Sequence, residues 1–148
     1  MDVRELYQEV ILDHSRRPRN FGRPPGCNRE ANGHNPLCGD RISVYVEIAD
    51  GVVKDVAFEG AGCAISMASA SLMTEQMKGM SEHEAEQLFD RFRRLMTEET
   101  GETAEPGLDR LAVLGGVREF PVRVKCATLA WHTLKAALAN THDEVKTE

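Results

Sequence analysis

The stretch Ile42-Ser43-Val44-Tyr45-Val46-Glu47-Ile48-Ala49-Asp50-Gly51-Val52-Val53-Lys54-Asp55-Val56-Ala57-Phe58 decides the fold. Ile42, Val44, Val46 and Ile48 share one parity, and Ser43, Tyr45 and Glu47 take the other, the two-residue period of a half-buried strand. Val52, Val56 and Phe58 repeat that parity with Lys54 between them, so the segment reads as a hairpin. A two-residue Asp50-Gly51 turn would pair Val46 with Asp55 and put the two apolar sets on opposite faces. A three-residue loop, Ala49-Asp50-Gly51 with Gly51 left-handed, aligns Ile42 with Phe58 and Val44 with Val56, and is the register expected here.

Outward from the hairpin, both ends carry cysteine. Upstream lies Asn35-Pro36-Leu37-Cys38-Gly39-Asp40, a short rigid loop that aims a thiol and a carboxylate at a common point. Downstream, Gly60-Ala61-Gly62-Cys63 leads into a small-residue helix marked by Ile65, Ala68, Leu72, Met73 and Met77 and closed by Gly79. Cys63 therefore stands where a strand hands over to a helix N-terminus, a setting that favours a thiolate. Ser81 with Glu84 is a capping box opening a helix whose stripe is Leu88, Phe89, Phe92, Leu95 and Met96. An acidic loop follows from Thr97 to Pro106, and Leu108, Leu111, Ala112 and Leu114 read as a short helix. Phe120-Pro121 breaks the chain before Val122-Arg123-Val124-Lys125, which alternate like a strand edge. Ala130, Trp131, Leu134, Ala137 and Leu138 mark the closing helix, with Cys126 at its first turn. Residues from Asn140 onward are polar and read as a fraying end. At the other terminus, Val3, Leu6, Tyr7, Val10, Ile11 and His14 recur at helical spacing, ending near Pro18. The arginine- and proline-rich segment from Arg16 to Pro25 reads as a solvated loop.

The 148 residues are taken as one domain, with 41% hydrophobic and 28% charged residues, ordinary for a soluble protein. A net charge of −6 speaks against a general nucleic-acid binder. No apolar run approaches a membrane span, and the charged first residues do not form a secretory signal, so the expected location is cytoplasmic. There thiols stay reduced, and four cysteines point to metal or sulfur chemistry before disulfides.

No two of these cysteines form a C-x-x-C pair, so they can meet only through the fold. Taken singly, Cys63 and Cys126 would be small buried hydrophobes and Asp40 a turn residue. If they converge, Cys38, Asp40, Cys63 and Cys126 supply a three-sulfur, one-oxygen set that suits zinc or an iron–sulfur cluster.

Three blocks carry a resemblance: Asn35 to Asp40, Phe58-Glu59-Gly60-Ala61-Gly62-Cys63-Ala64-Ile65-Ser66, and Arg123-Val124-Lys125-Cys126-Ala127-Thr128-Leu129-Ala130-Trp131. With Ile11-Leu12-Asp13-His14 and Pro18-Arg19-Asn20, they make the chain resemble the U-type iron–sulfur cluster assembly proteins. Lys125 stands where the IscU branch has histidine, and Pro121-Val122-Arg123-Val124 replaces that branch's chaperone-recognition segment. With the added helical segment 81–116, these features resemble the SufU branch.

The resemblance implies an α+β fold: a small antiparallel sheet of about three strands with helices packed on one face. The third strand would fall between Cys27 and Asn35. It implies Cys38, Asp40, Cys63 and Cys126 as metal ligands, with the three cysteines binding any cofactor. Zinc is the expected ion, with iron or a transient [2Fe–2S] cluster as the alternative. The implied role is a zinc-dependent, sulfurtransferase-like acceptor of persulfide sulfur from a cysteine desulfurase, serving downstream assembly machinery or apo-proteins. The alternative is a scaffold on which a labile cluster is built. Cys38 is the expected acceptor, with Arg123 and Lys125 steering the anionic sulfur.

Overall fold

The computed structural model describes residues 3–36, 38–97, 114, 117, 120–140 and 145–146. In chain order these form α1 (Val3–Arg16), β1 (Arg29–Asn35), β2 (Asp40–Ala49), β3 (Val52–Ala61), α2 (Ala64–Met77), α3 (Glu82–Thr97), α4 (Pro121–Leu138) and β4 (Val145–Lys146). β1, β2 and β3 make the expected antiparallel meander, and the α+β class holds. The third strand does lie between Cys27 and Asn35. Its inward positions are Ala31, Gly33 and Asn35, so it carries none of the large apolar side chains that signal a strand. The small residues are there because α4 lies against them: a Cβ on residue 33 would run into Thr133 Oγ1 and press on Leu129 Cδ1.

The hairpin register differs from the expectation. Val44 faces Phe58, Val46 faces Val56 and Ile42 faces Gly60, and the loop is the two-residue Asp50-Gly51 turn, with φ of 54° and 74°. The ladder shifts between Glu47, which faces Asp55, and Ile48, which faces Val53. Lys54 is thus the extra residue of a bulge, and that one-residue insertion returns both apolar sets to the same face.

Val44, Val46, Val53, Val56 and Phe58 are fully buried on the inner face of the sheet. α4 covers β1 and β2, α2 covers β3, α1 packs on α2, and α3 packs on α4. α2 and α4 are buried nearly all round, which explains their Ala- and Ser-rich sequences. Trp131 sits between the layers, stacked on Phe92 at 4.0 Å between ring centroids, its Nε1–H donating to Ser69 Oγ at 3.0 Å. Ser69 in turn donates to the carbonyl of Ala127, next to Cys126. His14 is buried, with Nδ1 2.7 Å from Ser71 Oγ, and ties α1 to α2; His132 packs edge-on against Phe89. Both histidines lie away from the cysteine cluster among the described residues.

Both sheet edges are partly capped. Asn20 and Gly22 exchange backbone bonds with Phe58. β4 runs parallel to β1 at Gly33 and His34, so part of the tail expected to fray returns to the sheet. The capping box forms as expected, with Glu84 N–H donating to Ser81 Oγ and Ser81 N–H to Glu84 Oε1, both at 3.1 Å. Ser81→Ala should therefore lower stability by about 1 kcal/mol, read as a shifted urea midpoint at unchanged slope. The expected short helix at 108–114 lies outside the described residues except for Leu114, which is buried in the core.

α4 begins five residues earlier than the sequence suggests. Pro121 takes the first helical position, where its missing N–H is no loss, and Phe120 is the N-cap. Val122 to Lys125 are therefore helical rather than a strand edge, and Cys126 falls in the second turn. Their alternation of Val with a cation imitates a strand, but the turn is largely open to solvent, with Val122 and Arg123 exposed.

Candidate metal centre

Each part of the site is delivered by a different element. β1 and β2 finish at the pair Asn35 and Asp40, which close the loop carrying Cys38. Asp40, at the first position of β2, points inward with Ile42 and Val44 and is fully buried. The turn before α2 brings up Cys63, and α4 lays Cys126 over the end of the sheet.

Three of the four expected ligands converge. One donor atom each from Cys38, Asp40 and Cys126 lie within 4.8 Å of one another. The Cys126 thiol donates to Cys38 Sγ at 3.1 Å. Cys63 is outside that cluster and joins it through its backbone, donating N–H to Asp40 Oδ1 at 2.9 Å. Its sulfur is the N-cap of α2, accepting from Ser66 N–H at 3.4 Å. Gly62 makes this approach possible, since a Cβ there would stand 2.5 Å from Asp40 Oδ1.

The arrangement is asymmetric. Cys38 is exposed, Cys63 half-buried, and Cys126 and Asp40 sealed. Burial pushes the Cys126 thiol far up from its ordinary range, and the neighbouring Cys38, Asp40 and Cys63 push it further. Asp40 Oδ2 is buried with no hydrogen-bond partner among the described residues. An orphaned buried carboxylate oxygen is costly on its own, whereas a cation between it and the sulfurs would satisfy it and ionise the thiols. The residues fit a metal ion of the zinc or iron kind.

Arg123 and Lys125 differ in their relation to the site. Arg123 is three residues before Cys126 and shares its helix face, whereas Lys125 is rotated by about 100°. The Arg123 guanidinium lies over the Phe120 ring, 5.6 Å from its centroid. Cys27 lies before the opposite end of β1 and has no place in the cluster. Asn35, a residue of the motif that is not among the expected ligands, is fully buried and donates Nδ2–H to Cys126 Sγ at 3.5 Å.

A thiol–carboxylate cluster at the end of the β1–β2–β3 meander, roofed by helices, makes a candidate metal centre on an α+β frame. The NifU-like N-terminal domain family model matches residues 6–98. The chain is 41% identical to the iron–sulfur cluster assembly scaffold protein IscU of Streptococcus pyogenes serotype M1, over 92% of this chain and 84% of that one. It is 40% identical to the zinc-dependent sulfurtransferase SufU of Bacillus subtilis, over 90% of each. A crystal structure from Fervidobacterium islandicum AW-1, described as a candidate assembly scaffold of the SUF system, superposes with a TM-score of 0.79. It is 32% identical, over 93% of this chain and 99% of that one. The chain therefore belongs to the NifU-like N-terminal family, among the iron–sulfur cluster assembly proteins of the IscU and SufU type. Among the described residues no helix is long and apolar enough to cross a membrane.

Proposed function

We propose that this protein is a zinc-bound sulfur acceptor, taking persulfide sulfur from a cysteine desulfurase in the cytoplasm and passing it to iron–sulfur assembly. The observation that carries this reading is the asymmetry of the cluster: Cys38 is open to a partner while Cys126 and Asp40 are sealed beneath it. The likeness to the Bacillus subtilis sulfurtransferase supports it.

Cys38, Asp40, Cys63 and Cys126 would hold the ion. When bound, zinc supplies positive charge that keeps the sulfurs ionised at neutral pH. Cys38 Sγ attacks the outer sulfur of the partner's persulfide. A new S–S bond forms on Cys38, the donor's S–S bond breaks, and the donor cysteine leaves as a thiolate, with no outside oxidant needed. Arg123, on the exposed turn before Cys126, steers the incoming anion, and Lys125 adds to the local positive field. Residues 1–148 act as one U-type unit, with 81–116 as an added helical segment.

The second reading, a scaffold for a labile [2Fe–2S] cluster on the same residues, is supported by the likeness to the Streptococcus pyogenes scaffold. Protein purified without added metal should retain zinc and resist anaerobic reconstitution with iron and sulfide. A stable cluster absorbance that transfers to an apo-acceptor would instead establish the scaffold.

A further inference from the structure

We propose that Asn35 is a positioning residue of the metal centre: its side-chain amide anchors the Cys126 sulfur, making Cys126 the fixed ligand and leaving Cys38 the exchangeable one. This rests on the metal-bound reading above.

The buried positions of β1 are Ala31, Gly33 and Asn35, and only the last of them is polar. Asn35 and Asp40 are cross-strand partners, so the buried face of the sheet ends in a polar rung beneath α4. A buried amide is tolerated where it has a partner, and one partner here is the Cys126 sulfur, 3.5 Å from Nδ2. An apolar side chain of similar volume would fill the same space without that bond.

The three sulfurs are thereby made unequal. Cys126 accepts from the Asn35 amide and Cys63 from the Ser66 backbone N–H. Among the described residues, the bond to Cys38 Sγ comes from the Cys126 thiol, a weak S–H donor rather than an N–H. An N–H donor draws electron density from a thiolate and fixes its direction, so Cys126 and Cys63 become poorer nucleophiles held in place. Cys38, exposed and without such a donor, keeps its full nucleophilicity.

Asn35→Leu tests this through zinc affinity, measured by competition with a chromophoric chelator, and through the thiolate-to-metal absorption band of the cobalt-substituted protein. The variant should bind zinc about 10–100-fold more weakly and shift the cobalt band, both read on protein shown to be folded by circular dichroism. Asn35→Gln, which keeps an amide donor, should recover part of both. Should Asn35→Leu fail to fold, Asn35→Ala removes the same donor without adding bulk and is read in the same way. Unchanged affinity and an unmoved band would overturn the proposal while leaving the metal site standing. A parent protein that binds neither ion would overturn the metal reading and this inference with it.

Discussion

Cys38→Ala is expected to abolish stimulation of desulfurase turnover completely, returning the rate to that of the desulfurase alone. The reason is positional. Of the three cysteines at the site, Cys38 is the exposed one, on the loop between β1 and β2, so a partner's persulfide can reach it without opening the core. Cys126 is 1% exposed and Cys63 is held at the start of α2. Because the Cys38 side chain contributes nothing to the core, the variant should stay folded, and a circular dichroism melt of the metal-free protein separates lost chemistry from lost structure. Cys27→Ser is the control. That thiol lies before the far end of β1, roughly 20 Å of strand from the site, and its loss should leave stimulation intact. Stimulation surviving in Cys38→Ala would refute the acceptor assignment.

The largest effect on stability is expected from Trp131→Ala. Trp131 is fully buried, stacked on Phe92 from α3 and hydrogen-bonded to Ser69 from α2, so one side chain joins three helices. Truncating such a residue costs about 3–5 kcal/mol, a large share of the roughly 5–15 kcal/mol that holds a domain together. The melting temperature should fall by about 10 °C or more. Trp131→Phe keeps the ring contact and loses the bond to Ser69, and should cost only about 1–2 kcal/mol. The change should also be felt at the site, because Ser69 bonds the Ala127 carbonyl beside Cys126. Weaker zinc retention in Trp131→Ala, measured where the protein is still folded, would show that link. A loss below about 1 kcal/mol would mean that the core closes around the gap.

The elements legible in the sequence are those where one residue type signals one geometry. β2 alternates cleanly because α4 covers one of its faces, and Ser81 with Glu84 forms its reciprocal cap as written. The illegible parts are those where tertiary packing decides. β1 looks too polar to be a strand because α4 leaves room only for Ala31 and Gly33. The hairpin register turns on the bulge at Lys54, which no periodicity reveals. The start of α4 is hidden by Val122 and Val124, whose spacing imitates a strand on a solvent-exposed first turn. Cys38, Asp40 and Cys126 come together only after folding, and Cys63 reaches Asp40 through its backbone N–H, so no spacing along the chain signals the set and only the motif resemblance points to it. Asn35 could be singled out only once its burial was known.

The direct measurement loads a cysteine desulfurase with persulfide, mixes it with the zinc-bound protein without reductant, alkylates, and maps the added sulfur by peptide mass. If Cys38 is the acceptor, one extra sulfur atom is expected on the peptide carrying Cys38. Sulfur found instead on the peptide carrying Cys63 or Cys126, or no transfer at all, would contradict it.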